Sequence, residues 1–77
     1  LAHYQLGLVL SRRGEFDAAA QALNRAAELM PEFAYAHYYA GLAHQRARHL
    51  NEMTEHLREF LRLAPNAPER KAVELML

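Results

Sequence analysis

Five histidines, His3, His37, His44, His49 and His56, carry most of the titratable chemistry of this 77-residue chain. Two imidazoles on one helix share a metal ion when they stand three or four residues apart, because both rings then rise from one face. None of the five has that spacing. His37 and His44 share a face, but at ~1.5 Å of rise per residue they lie about 10 Å apart along the axis, too far for one ion. No metal site is expected. Covalent catalysis is no better provided for. There is no cysteine, and no serine stands with a histidine in a nucleophile motif. Asp17 is the sole aspartate, and Gly7, Gly14 and Gly41 make no phosphate-binding loop. The expectations are no catalytic residue, no cofactor and no enzyme activity.

Arg12, Arg13, Arg46 and Arg48, with His49, fall close together in the pattern, and tyrosines lie nearby. Such a set can hold a phosphate backbone and stacked bases, so RNA binding is an alternative. The charge balance argues against it. Nine basic residues offset nine acidic ones, leaving no net field to attract nucleic acid or an anionic membrane. No apolar run approaches the ~20 residues of a membrane helix, so no membrane partner is expected. The missing cysteines fit a reducing, cytoplasmic compartment. The chain opens on Leu1 and closes on Leu77, both inside helical patterns, and reads as a piece of a longer protein.

Helices must position all these groups. Ala2, Leu6, Val9 and Leu10 repeat at helical spacing over residues 1 to about 13, and Gly14 supplies the stop. Asp17 is the expected N-cap of a second helix reaching about Met30, which Pro31 ends; Phe16 would staple onto its first turn. A third helix is predicted over about 33–47 and a fourth over about 52–63, with Asn51 in the capping role of Asp17. Asn66, Ala67, Pro68 and Glu69 read as a capping box opening a fifth helix from about 67.

These elements repeat. Pro31 and Pro65 are 34 residues apart, as are Gly7 and Gly41. Ala2 and Ala36, His3 and His37, Tyr4 and Tyr38, Leu8 and Leu42, Arg12 and Arg46, Leu23 and Leu57, and Leu29 and Leu63 match at the same offset. A 34-residue period with helical patterning inside each unit marks stacked helix-turn-helix pairs, which bury a continuous core only by stacking.

The chain resembles the tetratricopeptide repeat (TPR) family. The first unit supplies Leu6-Gly7, Leu10 at the tyrosine place, Ala19, Leu23 at the phenylalanine place, Ala26 and Pro31. The second supplies Gly41, Leu57 and Pro65. The chain also departs from the pattern, mostly in the second unit. His3 and His37 hold the tryptophan place, Ala40 replaces leucine, His44 stands for tyrosine, and Met53 and Phe60 replace small alanines. On volume alone, Met53 or Phe60 would fill room left by Ala40.

The resemblance implies an all-α single domain, with antiparallel helix pairs stacked as a right-handed solenoid. Repeat one covers about 1–33, repeat two about 34–67, and a closing helix about 67–77. It also implies a concave groove, lined by the first helix of each pair, that receives a peptide or helix. Matched by position, the groove residues are Tyr4, Leu8 and Arg12 in the first helix. In the third they are Tyr35, Tyr38, Tyr39, Leu42, Gln45 and Arg46. Tyrosines suit interfaces, and the arginines suit a carboxylate. Where one subfamily clamps a chaperone's C-terminal carboxylate with lysine and asparagine, this chain has Tyr4, Leu8 and Tyr38, so an apolar or aromatic ligand is expected. The readings are therefore a non-enzymatic protein-binding scaffold, then a self-assembly module using the ends at Leu1 and Leu75–Leu77, then a tether for a catalytic domain outside this chain.

Overall fold

The computed structural model describes residues 1–77 as five α-helices. They are α1 (Ala2–Arg12), α2 (Phe16–Leu29), α3 (Ala34–Arg46), α4 (Leu50–Leu63) and α5 (Arg70–Met76). α1 packs against α2 and α3 against α4, giving two helical hairpins. α2 packs on α3 to join them, and α5 closes on α4.

Inside each hairpin a glycine meets a leucine. A Cβ placed on Gly7 would lie 2.4 Å from Cγ of Leu23, and one on Gly41 would lie 2.6 Å from Cδ2 of Leu57. Both leucines are fully buried. The recurring Gly and Leu of the repeat are thus one packing device used twice, a bare backbone that lets the partner leucine lie flat on it.

Between hairpins the core is built of alanines. Ala19, Ala20 and Leu23 of α2 pack with Ala40 and Ala43 of α3. Ala26 and Ala27 pack with Ala36. Small side chains let these two helices approach closely. A separate cluster, Met53, Leu57 and Phe60 of α4 with Val73 of α5, closes the other end. Phe60 therefore does not fill space beside Ala40. The two belong to different clusters, because Ala40 faces α2 whereas Phe60 faces α5, Tyr35 and Tyr38. The large side chains on α4 fill the space between it and the short α5.

The helix starts differ from the capping expectations. α2 begins at Phe16 and α4 at Leu50, one residue before Asp17 and two before the expected start, and neither has a side-chain cap. Asp17 lies in the first turn, where its carboxylate still favours the positive helix end. Asn51 lies in the first turn as well. Asn66 caps nothing. Residues 64–69 form successive turns, through Ala67 N–H to Ala64 O and Arg70 N–H to Ala67 O, so α5 starts at Arg70. Glu69 serves α3 instead, accepting a hydrogen bond from the Tyr35 hydroxyl at 2.8 Å. A tertiary partner outbids the local box.

Candidate functional site

The expected groove residues fall into two sets. Tyr4, Tyr35, Tyr38 and Tyr39 are half-buried and form one aromatic chain. Tyr4 lies 4.7 Å from Phe33 and 6.0 Å from Tyr39, between ring centroids. Tyr39 lies 5.0 Å from Tyr38, which lies 5.0 Å from Phe60, and Tyr35 lies 5.3 Å from Phe60. Edge and tilted contacts of this kind stabilise packing beyond the area they bury. The phenols respond accordingly. Burial and then Tyr39 raise Tyr4, and burial and then Glu69 raise Tyr38. Tyr35 is raised first by its hydrogen bond to Glu69. These rings join α1, α3, α4 and α5.

The second set surrounds an open cavity of about 280 Å³ at the C-terminal ends of α1 and α3. Tyr39, Leu42 and Phe16 supply apolar walls, and Ser11, Arg12 and Arg46 supply its polar rim. The Arg46 guanidinium sits 4.5 Å above the Phe16 ring, a cation–π contact that holds its charge at the rim. Neither arginine has a carboxylate partner within 4 Å; the arginine–carboxylate pairs use Arg13, Arg25, Arg62 and Arg70. Leu8 is half-buried and Gln45 exposed, and neither lines the cavity. Phe16 is the wall that sequence reasoning assigned to local stapling. Its contact with Arg46 spans thirty residues, and no local spacing announces it.

On another face, four of the five histidines meet around Asn24. His37 Nδ1 lies 3.2 Å from His56 Nδ1, and His44 Nδ1 lies 3.1 Å from His49 Nδ1. The Nε2 atoms of His44 and His56 both reach Asn24 Oδ1, at 2.8 and 2.9 Å. The rings of His44 and His56 stack with centroids 5.5 Å apart. Burial, and then the neighbouring rings, holds the imidazole of His56 down at about 4. Burial and His49 also lower His44. Sequence reasoning considered pairs on one helix only. The missed signal is two spacings of seven, His37 to His44 and His49 to His56, at equal distances either side of the Arg46–Ala47 junction. An antiparallel hairpin turned there brings them together in pairs. No three histidine, aspartate or glutamate side chains converge in metal-ligand geometry.

The two hairpins, the Gly–Leu pairs and the 34-residue register all fit one repeat. A model of the TPR repeat matches residues 7–47, more than half of the chain. The chain belongs to the tetratricopeptide repeat family. TPR repeats mediate protein–protein interaction and are typically non-catalytic modules. The match runs from α1 through α3 and so includes every residue lining the cavity. Comparison with curated proteins finds no match. No helix is long and apolar enough to cross a membrane.

Proposed function

We propose that this TPR segment binds a protein partner by taking an apolar side chain of a peptide or helix into the cavity between α1 and α3. A carboxylate of the same ligand pairs with Arg12 and Arg46. The observation that carries this reading is the combination at one place of Tyr39, Leu42 and Phe16 walls with two unpaired guanidinium groups. Apolar burial supplies affinity, and a guanidinium that is already oriented on Phe16 loses less freedom on pairing. The aromatic chain from Tyr4 to Phe60 then holds the groove rigid and contributes its exposed edges. The function is non-enzymatic scaffolding.

The test is capture from a lysate of source cells by the wild-type chain and by a Leu42→Asp/Arg46→Glu variant, with folding checked by circular dichroism. Partners lost selectively from the folded variant support the reading. Partners retained at equal yield overturn it.

Self-association is the second reading. Leu6 and Val9 of α1, with Leu1, and Leu75 and Leu77 at the other end, are exposed, and Leu75 keeps 89 % of its surface. Apolar ends of stacked repeats are the surfaces that neighbouring repeats cover. Sedimentation velocity across a hundredfold concentration range checks it. A concentration-independent monomer removes this reading.

A further inference from the structure

The ring of hydrogen bonds around Asn24 admits only certain proton arrangements. Each neutral imidazole has one N–H and one bare nitrogen, and an amide presents either its oxygen or its NH2 group. His37 Nε2 faces the carbonyl oxygen of Pro31 at 3.0 Å, so it must carry a proton. His49 Nε2 faces the carboxylate of Asp17 at 3.5 Å and is best protonated too.

Suppose the NH2 group of Asn24 points inward. It donates one hydrogen to His44 Nε2 and the other to His56 Nε2. His56 Nδ1–H then donates to His37 Nδ1, and His37 Nε2–H to Pro31. On the other arm His44 Nδ1–H donates to His49 Nδ1, and His49 Nε2–H to Asp17. Every bond is made and all four rings are neutral.

Now suppose the oxygen points inward, as in the structure. It accepts from Nε2–H of both His44 and His56. Each of these rings then offers a bare Nδ1, unless it takes a second proton. The bonds to His37 and His49 are kept only if each arm holds one added proton, shared along its Nδ1···Nδ1 contact. A half-turn of the Asn24 amide exchanges its nitrogen and oxygen and hence the two states.

One arm changes alone only at the loss of a hydrogen bond, because both arms end on the same amide atom. With one arm charged, an inward oxygen leaves the neutral arm with either a bare Nε2 facing it or two bare Nδ1 atoms facing each other, and an inward NH2 group leaves the charged arm with one donor facing another, so one hydrogen bond is lost either way. We propose that Asn24 and these histidines form a two-state relay, in which rotation of the Asn24 amide couples uptake of one proton by the His37/His56 pair to uptake of one by the His44/His49 pair. Two protons enter from solvent and no bond other than N–H is formed. The 270 Å³ cleft beside His37 and His56 gives them access on one arm, and the half-exposed edge of His49 gives access on the other.

The surrounding carboxylates favour the loaded state. Asp17 of α2 meets His49. Glu28 of α2, itself bridged to Arg25, lines the cleft with Glu52 and Glu55 of α4. Glu52 acts on His44 and His56, and Glu59 of α4 acts on His37. Burial, and then the neighbouring imidazoles, oppose loading, so uptake falls on the acid side of the ordinary histidine range. Loading places two positive charges where α2, α3 and α4 meet, at the junction of the two hairpins.

Long-range proton–nitrogen NMR of the imidazoles across pH, on the whole chain, tests the coupling. The expected result is that both pairs move at one midpoint with a slope approaching ~2, and that the Asn24 side-chain amide signals move with them. In Asn24→Ala the two pairs separate and each slope falls to ~1. Independent titration of the pairs in the wild type, or an Asn24 amide that does not move, overturns the relay. If Asn24→Ala does not fold, His49→Gln replaces it. That change removes one proton site at the more exposed end, and the slope at His37 and His56 must then fall to ~1; an unchanged slope overturns the coupling.

Discussion

Arg48 sits in the left-handed region at φ 65°, thirty-four residues after Gly14 at φ 79°. The two hairpins thus turn by the same backbone device, but only the first uses the residue that adopts it freely. Nothing lies within 4 Å of a Cβ built on Gly14, so Gly14→Ala reports backbone cost alone. It should lose ~1 kcal/mol, and Arg48→Gly should gain up to ~1 kcal/mol. Urea midpoints at unchanged slope measure both, and a lower midpoint for Arg48→Gly rejects the argument. Gly41 is different. Its φ is ordinary, but an added methyl meets Leu57. Gly41→Ala should cost ~1–3 kcal/mol through overpacking, as should Gly7→Ala against Leu23. A loss in either below ~0.5 kcal/mol would mean that the leucine moves aside freely.

Among the helices, α4 carries the largest buried side chain. Phe60 is fully buried between α3 and α5, touching Tyr35 and Tyr38. Phe60→Ala should cost ~3–5 kcal/mol by denaturant unfolding. A near-zero loss would show that α5 collapses into the gap or is not docked. The helix starts show how far local rules reach. Asp17 and Asn51 are good caps by type, yet the chain enters α2 and α4 one residue or more earlier, with the side chains in the first turn. The entry angle is set by the preceding hairpin turn and by burial of the helix face, which outweigh the ~1 kcal/mol of a cap. At α5 the local box loses its glutamate to Tyr35.

Across the whole molecule the histidine network links stability to pH. The folded chain holds His56 at about 4 and His44 below the ordinary 6.5. Between those limits the unfolded chain binds more protons, so stability rises with pH. It is complete above 6.5 and is lost as pH falls toward about 4. For His56, discounted because solvent reaches it through the cleft, the loss is ~1–2 kcal/mol. Glu59, held low by its hydrogen bond from Arg62, loses its share in a separate window below the ordinary 4.5. Thermal unfolding from pH 7.5 to 4 checks the first window, and His56→Gln should flatten it. A melting temperature independent of pH over that range would contradict the burial of these rings.

The 34-residue register, the helical pattern within it and the two Gly–Leu pairs are legible in the chain because they arise from local periodicity and from one short-range contact repeated. These properties determined the family and the order of helices. The division of labour among the tyrosines is not legible. Tyr4 and Tyr39 both stand on groove-facing helices by pattern, and only packing shows that Tyr4 lies against Phe33 while Tyr39 also lines a cavity. The same holds for Phe16 over Arg46 and for the four histidines on Asn24, whose partners lie up to 32 residues away. Helix periodicity specifies which face a side chain occupies; which groups meet across that face depends on how far the helices approach and at what register. The alanines between α2 and α3 and the symmetric turn between α3 and α4 decide both, and they do so only once the chain is folded.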